Sequence, residues 1–129
     1  MAKTALDLTP EEWKIYQPAD VIAQRKWDVD EQLDARWKRA QRLAHAAATL
    51  LRDEFSATKV LLFGSLLHRS WFTPWSDIDL AVWGVPQERF FAAVAAVTAL
   101  SKEFKIDLVD PEMCRISLLD AITRDGIEI

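Results

Sequence analysis

No stretch of this 129-residue sequence holds the roughly 20 consecutive apolar residues that span a bilayer. The first residues, Met1-Ala-Lys-Thr-Ala-Leu-Asp7, lack the apolar core of a secretion signal. Cysteine is almost missing: Cys114 stands alone, so no internal disulfide can form, which fits a reducing compartment. These absences set the expectation of a cytoplasmic protein that does not enter a membrane. Glycine (3) and proline (5) are scarce and nothing repeats at a fixed period, which excludes low-complexity and solenoid architectures. Positive charge is short as well, with a formal net charge of −4. A protein that grips nucleic acid by its phosphates needs a basic surface to displace counterions, so no direct nucleic-acid binding is expected. Arg36, Lys38, Arg39 and Arg42 do cluster, but acids share their segment, and the group reads as a solvated helix face.

What is present is a chain half apolar, enough to bury one core, with six tryptophans. Most of those rings are expected inside, with one or two left exposed for a partner. Thr9-Pro10-Glu11-Glu12 reads as a helix start, with Thr9 as cap and Glu12 completing a capping box, and Pro18 limits that piece. One long helix is predicted from about Val29 to Glu54. Leu33, Trp37, Ala40, Ala44, Ala47 and Leu51 recur at alternating spacings of three and four along one face, opposite Asp34, Lys38 and Arg42. His45 falls on the polar side as a solvated histidine.

Three short runs follow that suit strands. Lys59-Val-Leu-Leu-Phe63 is compact and apolar and stops at Gly64-Ser65. Asp77-Ile-Asp-Leu-Ala-Val-Trp83 alternates, as does Lys105-Ile-Asp-Leu-Val109, which Asp110-Pro111 cuts off. Between the last two, Pro86 opens a helix with Phe90, Val94 and Val97 on one face. A final helix, about Ile116 to Arg124, ends at Asp125-Gly126, and Ile127-Glu-Ile129 adds a short edge strand. The fold class is α/β (α+β): a small mixed sheet of three or four strands covered by helices on one face. Residues 1–54 form a helical extension and residues 55–129 the core domain.

Asp77 and Asp79, two apart on a strand, send both carboxylates to one face, while Ile78, Leu80 and Val82 enter the core. Like charges so close are costly unless a cation neutralises them, and Mg²⁺ prefers such oxygen ligands shared with substrate phosphates. Asp107 alternates with Ile106 and Leu108 and joins the pair if the two strands are neighbours. Three carboxylates can hold two metals for in-line attack at phosphorus, with Asp107 either bridging the second metal or taking the proton of the attacking hydroxyl. Gly64 lets a triphosphate approach the backbone, and Ser65 offers a hydroxyl and free N–H groups to phosphate oxygens. A lone Gly-Ser or Asp-x-Asp is ordinary surface chemistry; both together with a third outward Asp are not. Cys114, with no histidine or lysine nearby in sequence, is not a nucleophile.

At these residues the chain resembles the DNA-polymerase-β-like nucleotidyltransferase superfamily, whose signature is Gly-Ser, a short spacer, then Asp-apolar-Asp. More narrowly it resembles the minimal nucleotidyltransferases (MNT), the antitoxins of HEPN/MNT toxin–antitoxin pairs. The likeness rests on Val60-Leu-Leu-Phe-Gly-Ser65, Ser76-Asp-Ile-Asp-Leu-Ala-Val82, Lys105-Ile-Asp-Leu-Val-Asp110 and the ending Asp125-Gly-Ile-Glu-Ile129. It implies transfer of AMP from ATP, with Mg²⁺, onto a tyrosine hydroxyl of a cognate HEPN ribonuclease toxin. Gly64 and Ser65 match the phosphate-binding pair, Asp77 and Asp79 the metal ligands, and Asp107 the third carboxylate. Relatives place arginines and a glycine just after Gly-Ser, where this chain has Leu66-Leu67-His68-Arg69; His68 or Arg69 would take that phosphate role. The spacer also carries Trp71, Phe72, Pro74 and Trp75, which are expected to pack beneath the loop rather than to stack on adenine or meet a partner.

Two other readings stand beside this one: an antitoxin that neutralises its partner by occlusion without chemistry, and a nucleotidyltransferase acting on a small molecule. The second usually needs a further domain to form the acceptor pocket, and little chain is left to build one. Trp27, Leu33 and Trp37 of the extension either pack on the core sheet or dock a partner, with the part before Leu33 assigned to a partner.

Overall fold

The computed structural model describes the backbone of residues 19–129 and the side chains from residue 29 onward. The expected helix start at Thr9, its limit at Pro18 and the side chain of Trp27 lie outside the described residues. By internal contacts the chain divides into two compact units, Met1–Leu33 and Asp34–Ile129, and the second carries the whole sheet.

Helix α1 spans Ala19–Phe55, 37 residues, and so begins ahead of the predicted Val29. Residues 19–28 contain Ala, Gln, Arg and Lys, which favour helix without contributing to the apolar stripe that marked the rest. Within the second unit the stripe is as the spacing implies: Ala40, Ala44, Ala47 and Leu51 are all 0% exposed, and His45 is exposed. Ser56, at φ 62, turns the chain left-handed and ends the helix, and the Ala57 N–H returns to the Leu51 carbonyl. Asp34 does not lie opposite the stripe. A spacing of three from Trp37 leaves it on the neighbouring edge, where it pairs with Arg69.

Strands β1 (Lys59–Phe63), β2 (Ile78–Trp83), β3 (Ile106–Val109) and β4 (Ile127–Glu128) form one mixed sheet in the order β3-β2-β1-β4. β1 runs antiparallel to both β2 and β4, while β2 and β3 are parallel and joined by helix α2 (Phe90–Thr98). A 3₁₀ turn at Gln87–Arg89 separates Pro86 from α2, and the buried stripe of that helix is Ala93 and Val97. Val97 is buried as predicted, whereas Phe90 and Val94 are only partly buried and Ala93 takes the inner position. Helix α3 (Ile116–Asp125) leads straight into β4.

The two faces of the sheet differ. Val60, Leu62, Ile78, Leu80 and Ile106, at alternate positions, are 0 to 4% exposed and form the helix-covered core. The other face carries a second, smaller cluster, Leu61, Phe63 and Ala81, closed by Ile122 of α3 with Leu118, Trp83 and Val109 at its margin. The last helix thus covers part of the carboxylate-bearing face, in addition to the helices behind it.

Candidate active site

Strand register sets the site. Phe63 pairs with Asp79, and Asp79 pairs with Asp107, so one row across three strands reads Phe63, Asp79, Asp107. The next row on the same face is Leu61, Ala81 and Val109, the one sealed by α3. The carboxylates therefore occupy the end of the face that α3 leaves open. Asp77 precedes β2 by one residue and lies two from Asp79, at the same mouth. The Ile78 N–H donates to the Lys105 carbonyl at 2.9 Å and fixes this corner of the sheet.

Burial pushes the Asp79 carboxyl up to about 6, and the charges of Asp107 and then Asp77 push it in the same direction. Lys105 opposes them, with its Nζ 3.3 Å from Asp107 Oδ1. Sequence reasoning missed this lysine. Its signal was there, because positions 105 and 107 are two apart on a strand and so share a face.

The Gly64-Ser65 turn meets the row from the side. Phe63 is extended, Gly64 takes φ +80, and a single 3₁₀ turn, Gly64–Leu67, follows. A Cβ on Gly64 would collide with the Asp79 carboxylate, so glycine is required here both by φ and by space. That near contact sets the turn directly against the carboxylate row. Ser65 is half-buried next to it.

Gly64, Asp77, Asp79 and Asp107 are thus brought together. His68 and Arg69 engage other partners: the His68 ring meets Trp71 edge-on with centroids 4.1 Å apart, and Arg69 Nε donates to Asp34 Oδ1 at 3.3 Å. Also unforeseen were Trp37 Nε1 and Gln41 Nε2, each donating to the Leu66 carbonyl at 3.1 Å. In the spacer only Phe72 packs as expected, at 3% exposure. Trp71 is 52% and Trp75 85% exposed, so packing beneath the loop does not hold for either ring. Thr73 and Ser76 close a tight turn, through the Thr73 N–H to Ser76 Oγ at 2.8 Å, that holds Trp75 outward.

The donor chemistry suits a hard divalent cation. All three groups are carboxylates, and the Asp79 carboxyl is raised by burial first and then by the charges of Asp107 and Asp77, with Lys105 opposing them. Among the described residues no group of three or more His, Cys, Asp or Glu side chains is gathered closely enough to hold a metal ion by itself.

A family model described as polymerase beta, nucleotidyltransferase matches residues 46–129. No curated protein matches the chain. Among solved structures, the chain is similar to a crystal structure of a toxin–antitoxin with AMP-PNP, at 22% identity and a TM-score of 0.54, covering 66% of this chain and 70% of that one. It is also similar to a crystal structure of the toxin–antitoxin MntA-HepT, at 22% identity and a TM-score of 0.50, covering 68% and 69%. The matched segment spans both the Gly64-Ser65 turn and the three-carboxylate row, and the chain belongs to the polymerase beta nucleotidyltransferase family.

Proposed function

We propose that the protein is a Mg²⁺-dependent adenylyltransferase that acts as an antitoxin, moving AMP from ATP to a tyrosine hydroxyl of a cognate HEPN-type toxin. The observation that carries this reading is the in-register pair Asp79 and Asp107, with Asp77 beside them and the Gly64 turn against Asp79. The family match supports nucleotidyl transfer, and the likeness to toxin–antitoxin structures, one holding the ATP analogue AMP-PNP, supports the partner class.

Residues 55–129 serve as the transferase domain and residues 1–54 as its helical extension, of which the part from Asp34 packs into the same compact unit as the sheet. Asp77, Asp79 and Asp107 would hold Mg²⁺, which supplies charge neutralisation at the triphosphate and lowers the pKa of the attacking hydroxyl. Gly64 admits the phosphates to the backbone, and the Ser65 hydroxyl and the N–H groups of the turn donate to their oxygens. The tyrosine oxygen attacks the α-phosphorus in line, the bond from that phosphorus to the pyrophosphate oxygen breaks, and the phenolic proton passes to solvent or, if Asp107 does not serve the metal, to Asp107. The product is an AMP–tyrosine phosphodiester, and pyrophosphate leaves. His68 and Arg69 would contribute to phosphate binding only by leaving Trp71 and Asp34. The net charge of −4 and the lack, among the described residues, of any helix able to cross a membrane suit a cytoplasmic role on a protein substrate.

Incubation of the protein and its cognate toxin with ATP labelled at the α- or the γ-phosphate tests this. Label from the α position alone should appear on the toxin. Label from the γ position would establish a kinase instead. No label from either, with a stable complex, would favour the occluding antitoxin, for which the exposed Trp71 and Trp75 offer contact surface.

A further inference from the structure

Asp34, Trp37 and Gln41 follow one another at spacings of three and four, so they line one edge of α1. All three reach the loop that follows β1. Trp37 and Gln41 fill both acceptor positions of the Leu66 carbonyl, each at 3.1 Å, and Asp34 holds Arg69. Leu66 itself is 0% exposed. The loop they grip is the one that carries Gly64 and Ser65. A four-residue 3₁₀ turn has few hydrogen bonds of its own and poor geometry, so its conformation depends on what holds its ends. Strand β1 holds the first end, and α1 holds the second.

We propose that Trp37 and Gln41 are positioning residues for nucleotide: by fixing the Leu66 carbonyl they preset the Gly64–Leu67 backbone in its phosphate-accepting conformation. The family match begins at residue 46, so the latch lies outside the matched segment while the turn it holds lies inside. The latch rests on the transferase reading, in which that turn receives the triphosphate. Its effect is preorganisation, since the cost of ordering the turn is met on folding rather than when nucleotide binds.

The test is calorimetric titration of the full chain with AMP-PNP and Mg²⁺, comparing wild type, Trp37→Phe, Gln41→Leu and the double variant. Each single variant retains one donor and should lose less than about threefold in affinity, whereas the double variant should lose about tenfold. Val97→Ala, a core truncation on helix α2 outside the proposed latch, serves as the control for lost stability and should bind like wild type. Hydrogen exchange should rise in the double variant at the amides of Gly64–Leu67 and stay unchanged in β2 and β3. A double variant with wild-type affinity, or a Val97→Ala protein weakened as much as the double variant, overturns the latch and leaves the transferase reading intact. A wild-type chain that binds no nucleotide overturns that reading, and the latch as a nucleotide device falls with it.

Discussion

Asp79 is half-buried between two carboxylates, and its carboxyl is pushed up to about 6 by burial first and by Asp107 and Asp77 second. The folded state therefore holds a proton on Asp79 in a range where the unfolded chain has already released it. Stability from this group falls as pH rises from the ordinary aspartate range through about 6, and stays low above that. Asp79→Asn removes the penalty. In chelator at pH 7.5 the variant should be more stable than wild type by about 1–2 kcal/mol, after allowance for solvent screening, and the gap should close at pH 4. Thermal melts of both proteins at the two pH values check this, and a gap of equal size at both would contradict it. Gly64→Ala meets the Asp79 carboxylate and a φ of +80 together. It should cost about 1–2 kcal/mol of stability and abolish measurable AMP-PNP binding. At this scale much was legible: alternation alone put Asp79 and Asp107 on the face opposite Leu80 and Leu108. The partners of Arg69 and Lys105 were not, because ion pairs of long side chains depend on neighbours that sequence spacing does not name.

Among the elements, α1 shows where periodic reading succeeds and where it stops. Its stripe from Ala40 to Leu51 was recoverable because those positions are fully buried, and burial enforces the spacing. Its start was not, because residues 19–28 are helical while their sequence does not continue the three-four apolar spacing. The pleat likewise gave the strands to within a residue, and the pairing of β2 with β3 required only a helix between them. Placement of α3 on the carboxylate face was beyond reach, since an amphipathic helix can cover either side of a sheet. The contrast between buried and exposed positions makes a joint prediction. Leu51→Ala, at 0% exposure, should cost about 2–5 kcal/mol in chemical denaturation. Trp75→Ala, at 85% exposure, should change stability by no more than about 0.5 kcal/mol. A large loss at Trp75 would mean that the ring is structural after all.

For the whole molecule, the fold and the Gly-Ser…Asp-x-Asp row identify the family but not the acceptor, which in the proposed function is a hydroxyl of another chain. The exposed Trp71 and Trp75, on the loop between the Gly64 turn and Asp77, are surface that the occluding reading would use, whereas the account proposed above rests on chemistry at the carboxylates. The most direct test of that account is the intact mass of the toxin after incubation with this protein, ATP and Mg²⁺, set against the same reaction with the Asp77→Asn/Asp79→Asn variant. We predict a gain of whole AMP units that the variant does not produce. A toxin of unchanged mass within a stable complex, or an equal gain with the variant, would contradict it.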